Sequence, residues 1–289
     1  MKKIFSTIVY KSIYGTAFII SLMPIEFLYG FSSLACIFIY NIFGYRRNVV
    51  IQNISRSFPD KKYDEVMVIV RKFYIHFTAY FVEMLKNISI STEELDKKVT
   101  FENLDIIEQY IKEDKNVIIC LGHCGNWEML NFLPHKLHCD TYAVYKPLRA
   151  KLFDKLIQTS RSRFGMKLIP SKAIARHMLG NKSGKAAYLF LSDQCPGTID
   201  AKYRFRLLNQ ETHILPGAEK LARIGKCAVV YMHIVAPTKG QYRIICLPIC
   251  AEAGLTKETE ITQSYISLLE KNILEEPFGW LWTHKRWKQ

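Results

Sequence analysis

Apolar residues recur at helical spacing over residues 60–87, where Val66, Ile69, Val70, Phe73, Phe77, Tyr80, Phe81 and Met84 share one face of a 3.6-residue period. The pattern predicts one long amphipathic helix. Ser91 followed by Glu94 then adds a capping box for a short helix. Further along, the pattern changes to short apolar runs separated by helical stretches. Strands are predicted at residues 99–101, 117–121, 141–145, 187–191, 227–233 and 242–247, and helices at 104–113, 152–164, 174–179, 217–224 and 258–273. Strands alternating with helices predict an α/β fold, a mostly parallel sheet covered by helices.

The N-terminus reads differently. Residues 27–45 carry no charge, and a shorter uncharged stretch, residues 12–25, precedes them across Glu26. The longer stretch is marginal for a bilayer span and the shorter one is too short, so a helical hairpin or an interface-lying pair competes with a single span and with a buried hairpin. Lys2, Lys3 and Lys11 lie before this region and Arg46-Arg47 after it, which puts both flanks on the cytoplasmic side. No small-x-small cleavage site follows a short apolar core, which argues against a removed signal peptide. Two segments are expected: a membrane-associated helical segment over residues 1–58, and an α/β catalytic domain over 59–289 with its boundary near Phe58-Pro59.

Composition narrows the partners. The chain has 289 residues, 49% of them hydrophobic, and a net charge of +14 from 40 Lys and Arg against 26 Asp and Glu. Such a balance calls for an anionic partner. The basic residues concentrate between Lys146 and Lys185, where Lys146, Arg149, Lys151, Lys155, Arg161, Arg163, Lys167, Lys172, Arg176, Lys182 and Lys185 meet a single acid, Asp154. That run suits a phosphorylated lipid or an acidic carrier protein, the alternative being a solvated face. No helix-turn-helix, zinc-finger, RRM or KH signature accompanies it, so nucleic acid is not the expected partner. The eight cysteines include no Cys-x2-Cys pair, and neither a metal site nor a disulfide framework is expected.

The chemistry concentrates in Gly122-His123-Cys124-Gly125-Asn126-Trp127-Glu128, directly after the strand 117–121. Open α/β sheets build sites where strands end. A hydroxyl is a poor nucleophile at neutral pH, and an imidazole can take its proton as it attacks an activated acyl carbon. His123 is the candidate base. A carboxylate on the other ring nitrogen would fix the tautomer and stabilise the imidazolium, and Glu128 is the candidate for it. Asn126 and free backbone N–H groups at a helix start could stabilise an oxyanion. Cys124 offers a second chemistry, an acyl-cysteine route, although neighbouring side chains commonly point apart. A third reading is a non-catalytic membrane-surface protein that holds anionic lipid on its basic face.

The seven-residue motif resembles the Gly-His-x-Gly-Asn-Trp-Glu signature of the late acyltransferases of lipid A biosynthesis, within the wider acyltransferase superfamily marked by His-x4-Asp/Glu. Other blocks resemble the family in the same order: Asn53 through Phe58-Pro59, Tyr145-Lys146-Pro147, Arg161 through Gly165, Asp193-Gln194, and Trp280 through Trp287. The sequence departs from the pattern at Cys124, at Lys146 and in the stretch Tyr203 through Thr212, which leaves lysophospholipid and other glycolipid acyltransferases open. The resemblance implies an acyltransferase-like α/β fold and O-acyl transfer from an acyl carrier protein or coenzyme A thioester, with no cofactor, to a lipid A precursor at the cytoplasmic face of a bacterial inner membrane. It also implies substrate-site or scaffold positions at Lys146, Arg161, Asp193 and Gln194.

Overall fold

The computed structural model describes residues 2–180, 185–196 and 201–287. The apolar N-terminus forms two helices, α1 (Lys2–Ser21) and α2 (Ile25–Ile37), the second extended by a π-helical turn at Phe38–Ile42. Pro24 occupies the N-cap of α2, where its lack of an N–H costs nothing. Helix α3 (Arg47–Ser57) follows, then the long helix α4 (Tyr63–Lys86) and α5 (Thr92–Lys98), whose capping box forms as expected between Ser91 and Glu94. Next come β1 (Val99–Glu102), α6 (Asp105–Lys112), β2 (Val117–Leu121), a 3-10 helix at Trp127–His135, and β3 (Asp140–Tyr145). They lead to α7 (Lys151–Arg161), β4 (Lys167–Pro170), α8 (Ile174–Gly180) and β5 (Ala186–Leu191). The chain ends with the hairpin β6 (Arg204–Leu207) and β7 (Gln210–His213), then α9 (Gly217–Ile224), β8 (Ala228–Thr238), β9 (Gln241–Cys250) and α10 (Glu260–Glu275).

Seven strands form one sheet in the order β1-β9-β8-β2-β5-β3-β4. Strands β8, β2, β5, β3 and β4 are parallel, as the alternation of strands and helices predicts. The departure is at one edge. β9 pairs antiparallel with β8, and β1 runs parallel to β9. The cause is local: only the turn around Gly240, at φ +77°, joins β8 to β9, and a connection that short permits only a hairpin.

Every residue of β2 is buried, so its side chains split alternately between two cores. Ile118 and Cys120 pack with Tyr188, Tyr231, Leu269 and Trp282 on one face, while Val117, Ile119 and Leu121 pack with Leu133, Leu189 and Val230 on the other. Packing does not break at the expected Phe58-Pro59 boundary. Val50 and Ile54 of α3 share a core with Val70, Tyr74 and Tyr188, and Asn53 Nδ2 donates to the carbonyls of Trp282 at 2.9 Å and His284 at 3.0 Å. Helix α2 is tied to α4 as well, by Tyr29 OH donating to Glu83 at 2.7 Å and Ser32 to Thr78 at 3.2 Å. An apolar segment that has a folded domain to pack on buries its polar spots there, whatever its other face meets.

Candidate active site

Two adjacent parallel strands bring the reactive groups together. β2 ends at Leu121 just before His123, and its neighbour β5 ends at Leu191 just before Asp193 and Gln194. His123 Nδ1 donates to Asp193 Oδ1 at 2.5 Å, and its backbone N–H donates to Oδ2 at 2.8 Å. Trp280 Nε1 also donates to Oδ2, at 2.8 Å. Asp193 is 3% exposed. Burial alone would push its carboxyl up, but the charge and hydrogen bonds of His123, with the bond from Trp280, override it and hold the group down at about 2. A carboxylate so held fixes the proton on Nδ1 and leaves Nε2 as the acceptor. The side-chain amide of Gln194 lies 3.3 Å from Nε2 and donates to it in that tautomer.

The expected partnership between His123 and Glu128 is therefore corrected. Glu128 makes no bond to the imidazole. Its carboxylate accepts two bonds from the Arg161 fork, Nε to Oε2 at 3.0 Å and Nη2 to Oε1 at 2.5 Å, together with Asn131 at 2.8 Å and Tyr80 OH at 3.1 Å. Burial raises the Glu128 carboxyl, and Arg161 with the hydrogen bonds reverses that to a net lowering. The geometry of the motif explains the exchange. Gly125 takes φ +55°, where a Cβ would also meet Ile234 at 2.8 Å, and the chain turns there into the 3-10 helix. That turn carries Glu128 away from the imidazole and toward α7.

Asn126 is corrected too. It is fully buried as the N-cap of that helix, with Oδ1 accepting from Glu128 N at 3.1 Å and Nδ2 donating to Glu83 Oε2 at 2.7 Å. The backbone N–H groups of His123, Gly125, Glu128 and Met129 are all engaged inside the protein, so they form no oxyanion pocket. Arg161, implied by the resemblance as a substrate-site or scaffold position, has committed two of its donors to Glu128. Cys124 is 3% exposed, and burial pushes its thiol well above the usual range, which disfavours the thiolate that an acyl-cysteine route needs. Among the described residues no group of three or more His, Cys, Asp or Glu side chains comes together as a metal cage.

A cavity of about 530 Å³ opens beside the pair. Its inner wall is apolar, with Leu121, Leu130, Val144, Ile157, Leu189 and Leu191, and His123 and Gln194 face it. Lys146 and Arg149, both exposed, stand at its mouth. Four residues of the basic run are engaged elsewhere. Lys167 pairs with Asp140 at 2.7 Å, Lys185 with Asp114 at 3.4 Å, Lys155 lies over the Tyr10 ring, and Arg163 donates to the carbonyls of Asn87 and Ile90. Lys182 lies outside the described residues.

Trp280, absent from the expected site, is the residue that sequence reasoning missed. It follows the turn Pro277–Gly279, and the segment runs antiparallel to the motif, with a bridge between Cys124 and Trp280 and a bond from Leu281 N to His123 O at 3.1 Å. Asn53 and Arg46 brace the same segment from α3 and its N-cap, Arg46 through Thr283 O at 2.9 Å. Motif blocks scattered from Asn53 to Trp282 thus converge on one imidazole and its carboxylate.

The chain is similar to known proteins over the part that holds this constellation. A lipid A biosynthesis acyltransferase of Haemophilus influenzae is 27% identical over 143 residues, which cover 49% of this chain and 44% of that protein, less than half of its length. The model of one family, described as bacterial lipid A biosynthesis acyltransferase, matches residues 4–289 and so takes in the whole constellation around His123. By that match the chain belongs to the bacterial lipid A biosynthesis acyltransferase family.

Proposed function

We propose that this chain is an O-acyltransferase that moves a fatty acyl chain from a thioester, carried by acyl carrier protein or coenzyme A, to a hydroxyl of a phosphorylated lipid A precursor. The observation that carries the reading is the His123–Asp193 pair facing a cavity with an apolar wall and a basic mouth. In the reaction Nε2 of His123 accepts the acceptor's hydroxyl proton as the oxygen attacks the thioester carbon, the acceptor displacing the Gln194 amide from that nitrogen. Asp193 stabilises the imidazolium. The tetrahedral intermediate then expels the thiolate, which takes the proton back from Nε2, and an ester has replaced a thioester. The donor is already activated, so the step needs neither ATP nor a metal. Leu130, Val144, Ile157 and Leu189 suit an acyl chain, and Lys146 and Arg149 suit a phosphate or an acidic carrier surface at the mouth.

The test is mass spectrometry of lipids from cells with and without the protein. The expected result is a lipid A lacking one acyl chain when the protein is missing. An unchanged lipid A with altered phospholipids would replace this acceptor by a lysophospholipid.

The same reading places the enzyme at the cytoplasmic face of the inner membrane, held by α1 and α2 lying in the interface. The window Ile25–Ile42 is long and apolar enough to cross a membrane, and only 11% of it is buried. It packs along α4, however, and the part of α4 level with it is built into the sheet domain through His76 to Gly125 O at 3.1 Å and Tyr80 OH to Glu128 at 3.1 Å, so a transbilayer α2 would drag that polar domain toward hydrocarbon. An interfacial pose keeps Phe27, Phe31 and Leu34 in lipid and that domain in water. Removing residues 1–47 would strip Tyr29 from Glu83 and Arg46 from Thr283, so exposed positions make the cleaner test. Phe27→Ser with Phe31→Ser is expected to weaken membrane partitioning by about 1.5–3 kcal/mol, half of the roughly 1.5–3 kcal/mol of a fully buried Phe for each ring, since Phe27 is 54% and Phe31 52% exposed. Vesicle flotation measures it. Unchanged flotation of the double variant would remove α2 from the attachment surface.

A further inference from the structure

A second cavity, of about 380 Å³, flanks the catalytic pair and plays no part in the chemistry described so far. Its lining comes from Cys195, two residues beyond Asp193, from Arg204, Glu211 and His213 of the β6–β7 hairpin, and from Arg286 and Trp287. Arg286 is 3% exposed and forms no ion pair among the described residues. Its Nη2 donates to the carbonyl of His213, but Nε has no partner, and Nδ1 of His213 is likewise buried without one. A buried guanidinium that bonds only neutral acceptors has its desolvation only partly compensated, so an anion in the cavity would be favoured. Asp193 lies close enough for its charge to act on Arg286, yet its oxygens are engaged by His123 and Trp280.

We infer that this cavity is a second substrate subsite, which holds a phosphate-bearing sugar of the acceptor while the transferred hydroxyl reaches His123. The inference rests on the acyltransferase reading above and assigns the acceptor's position within it. Arg286 supplies the buried charge. Arg204, half exposed at the rim, is the second cation, now occupied by Glu211 across the hairpin, and an incoming phosphate takes over that guanidinium. The indole of Trp287 is anchored by Nε1 donating to Thr212 Oγ1 at 2.8 Å, which fixes its ring as a wall on which the carbon face of a sugar can stack. That ring favours a sugar phosphate over the linear, ringless phosphopantetheine arm that an acyl carrier protein presents, and a coenzyme A donor, whose phosphates sit on an adenosine, is told apart by its own KM. The position of the cavity agrees: Cys195 in its wall lies two residues beyond Asp193, and Arg286 and Trp287 close the same C-terminal segment whose Trp280 bonds that carboxylate at 2.8 Å.

Three variants of the full chain in detergent micelles test the subsite. Inorganic phosphate is the binding probe, read by calorimetry. Arg204→Gln is expected to weaken phosphate binding about tenfold, the loss of one charge-assisted contact. Arg286→Lys should weaken it at least as much, because an ammonium does not restore the fork. Glu211→Gln should tighten it, since the competing carboxylate is gone. A merely structural hairpin pair would give no such opposite signs, and Arg204 and Glu211 are exposed enough for their variants to fold. In turnover, Arg204→Gln should raise KM about tenfold for the phosphorylated acceptor and leave KM for the donor and for an enzymatically dephosphorylated acceptor unchanged. A rise in the donor KM instead would assign the phosphate to the donor and overturn the proposal. Phosphate affinity unchanged in both Arg204→Gln and Glu211→Gln would overturn the subsite itself. Phosphate binding in the expected rank order, with no acyl transfer by the wild-type chain to any lipid A precursor, would sink the proposed function and leave the anion site standing.

Discussion

Asp193→Asn is expected to lower the turnover of acyl transfer by about 10³- to 10⁴-fold in a protein that still folds and still binds its thioester donor. The carboxylate has two unequal oxygens. Oδ2 accepts from two fixed donors, the His123 backbone N–H and Trp280 Nε1, so an asparagine must put its carbonyl there and turn its NH₂ toward the ring. That NH₂ can only donate to Nδ1. The ring proton then moves to Nε2, and the nitrogen facing the cavity has no lone pair for the hydroxyl proton. His123→Ala should cost about 10² to 10⁴ in rate, and the double variant little more than the worse of the two, because the pair acts as a unit. Turnover by Asp193→Asn within tenfold of wild type would refute the tautomer argument. The pH dependence of stability follows from the same contacts. A folded carboxyl near 2 against an unfolded one near about 3.9 contributes stability that is complete above the unfolded value and is lost as pH falls through the window between them. Acid unfolding of wild type, monitored by circular dichroism, should therefore show a component in that window that Asp193→Asn lacks.

The centre of the sheet was readable from the chain because β2, β5 and most of β8 are apolar on both faces, and a strand such as Val117–Leu121 can be little else between helical stretches. The elements that escaped lack such a signal. The β6–β7 hairpin turns at Leu208 and Asn209, both at positive φ, and the dipeptide has no glycine to announce a type I′ turn. β4 is four residues at the sheet edge and begins with a lysine. Helix α3 carries few apolar residues, and its core contacts are with parts of the chain far away in sequence.

The site was legible as a set of residues and misread as a set of pairs. His123 and Asp193 are seventy positions apart, and nothing local says that β5 inserts between β2 and β3 in the sheet. The closeness of His123 and Glu128, with four residues between them, suggested contact because both lie in one motif. Sequence proximity instead placed the two on opposite sides of the turn at Gly125. Charge density misled in a similar way, since the described lysines and arginines between Lys146 and Lys185 are spread over several elements and, among the described residues of that run, only Lys146, Arg149 and Arg161 line the cavity.

Glu128 is thus expected to fail differently from Asp193 when it is replaced. It is 4% exposed and neutralises the fork of Arg161, whose side chain keeps a quarter of its surface in solvent. Glu128→Ala removes that counter-charge and strands Tyr80 OH and the Asn131 amide as well. The expected cost is about 3–5 kcal/mol of stability, toward the lower end because Arg161 can turn partly to water. In a chain of this size that is a fall in melting temperature of roughly 10 °C. Replacing both partners by apolar residues, Glu128→Leu with Arg161→Met, should recover most of the loss, since a buried pair exchanged for packed side chains is often close to neutral. If Glu128 instead served the imidazole, the double variant would regain its melting temperature and stay as inactive as His123→Ala. Recovery of both stability and a substantial share of turnover separates the two roles, and inactivity in a fully stable double variant would return Glu128 or Arg161 to the reaction itself.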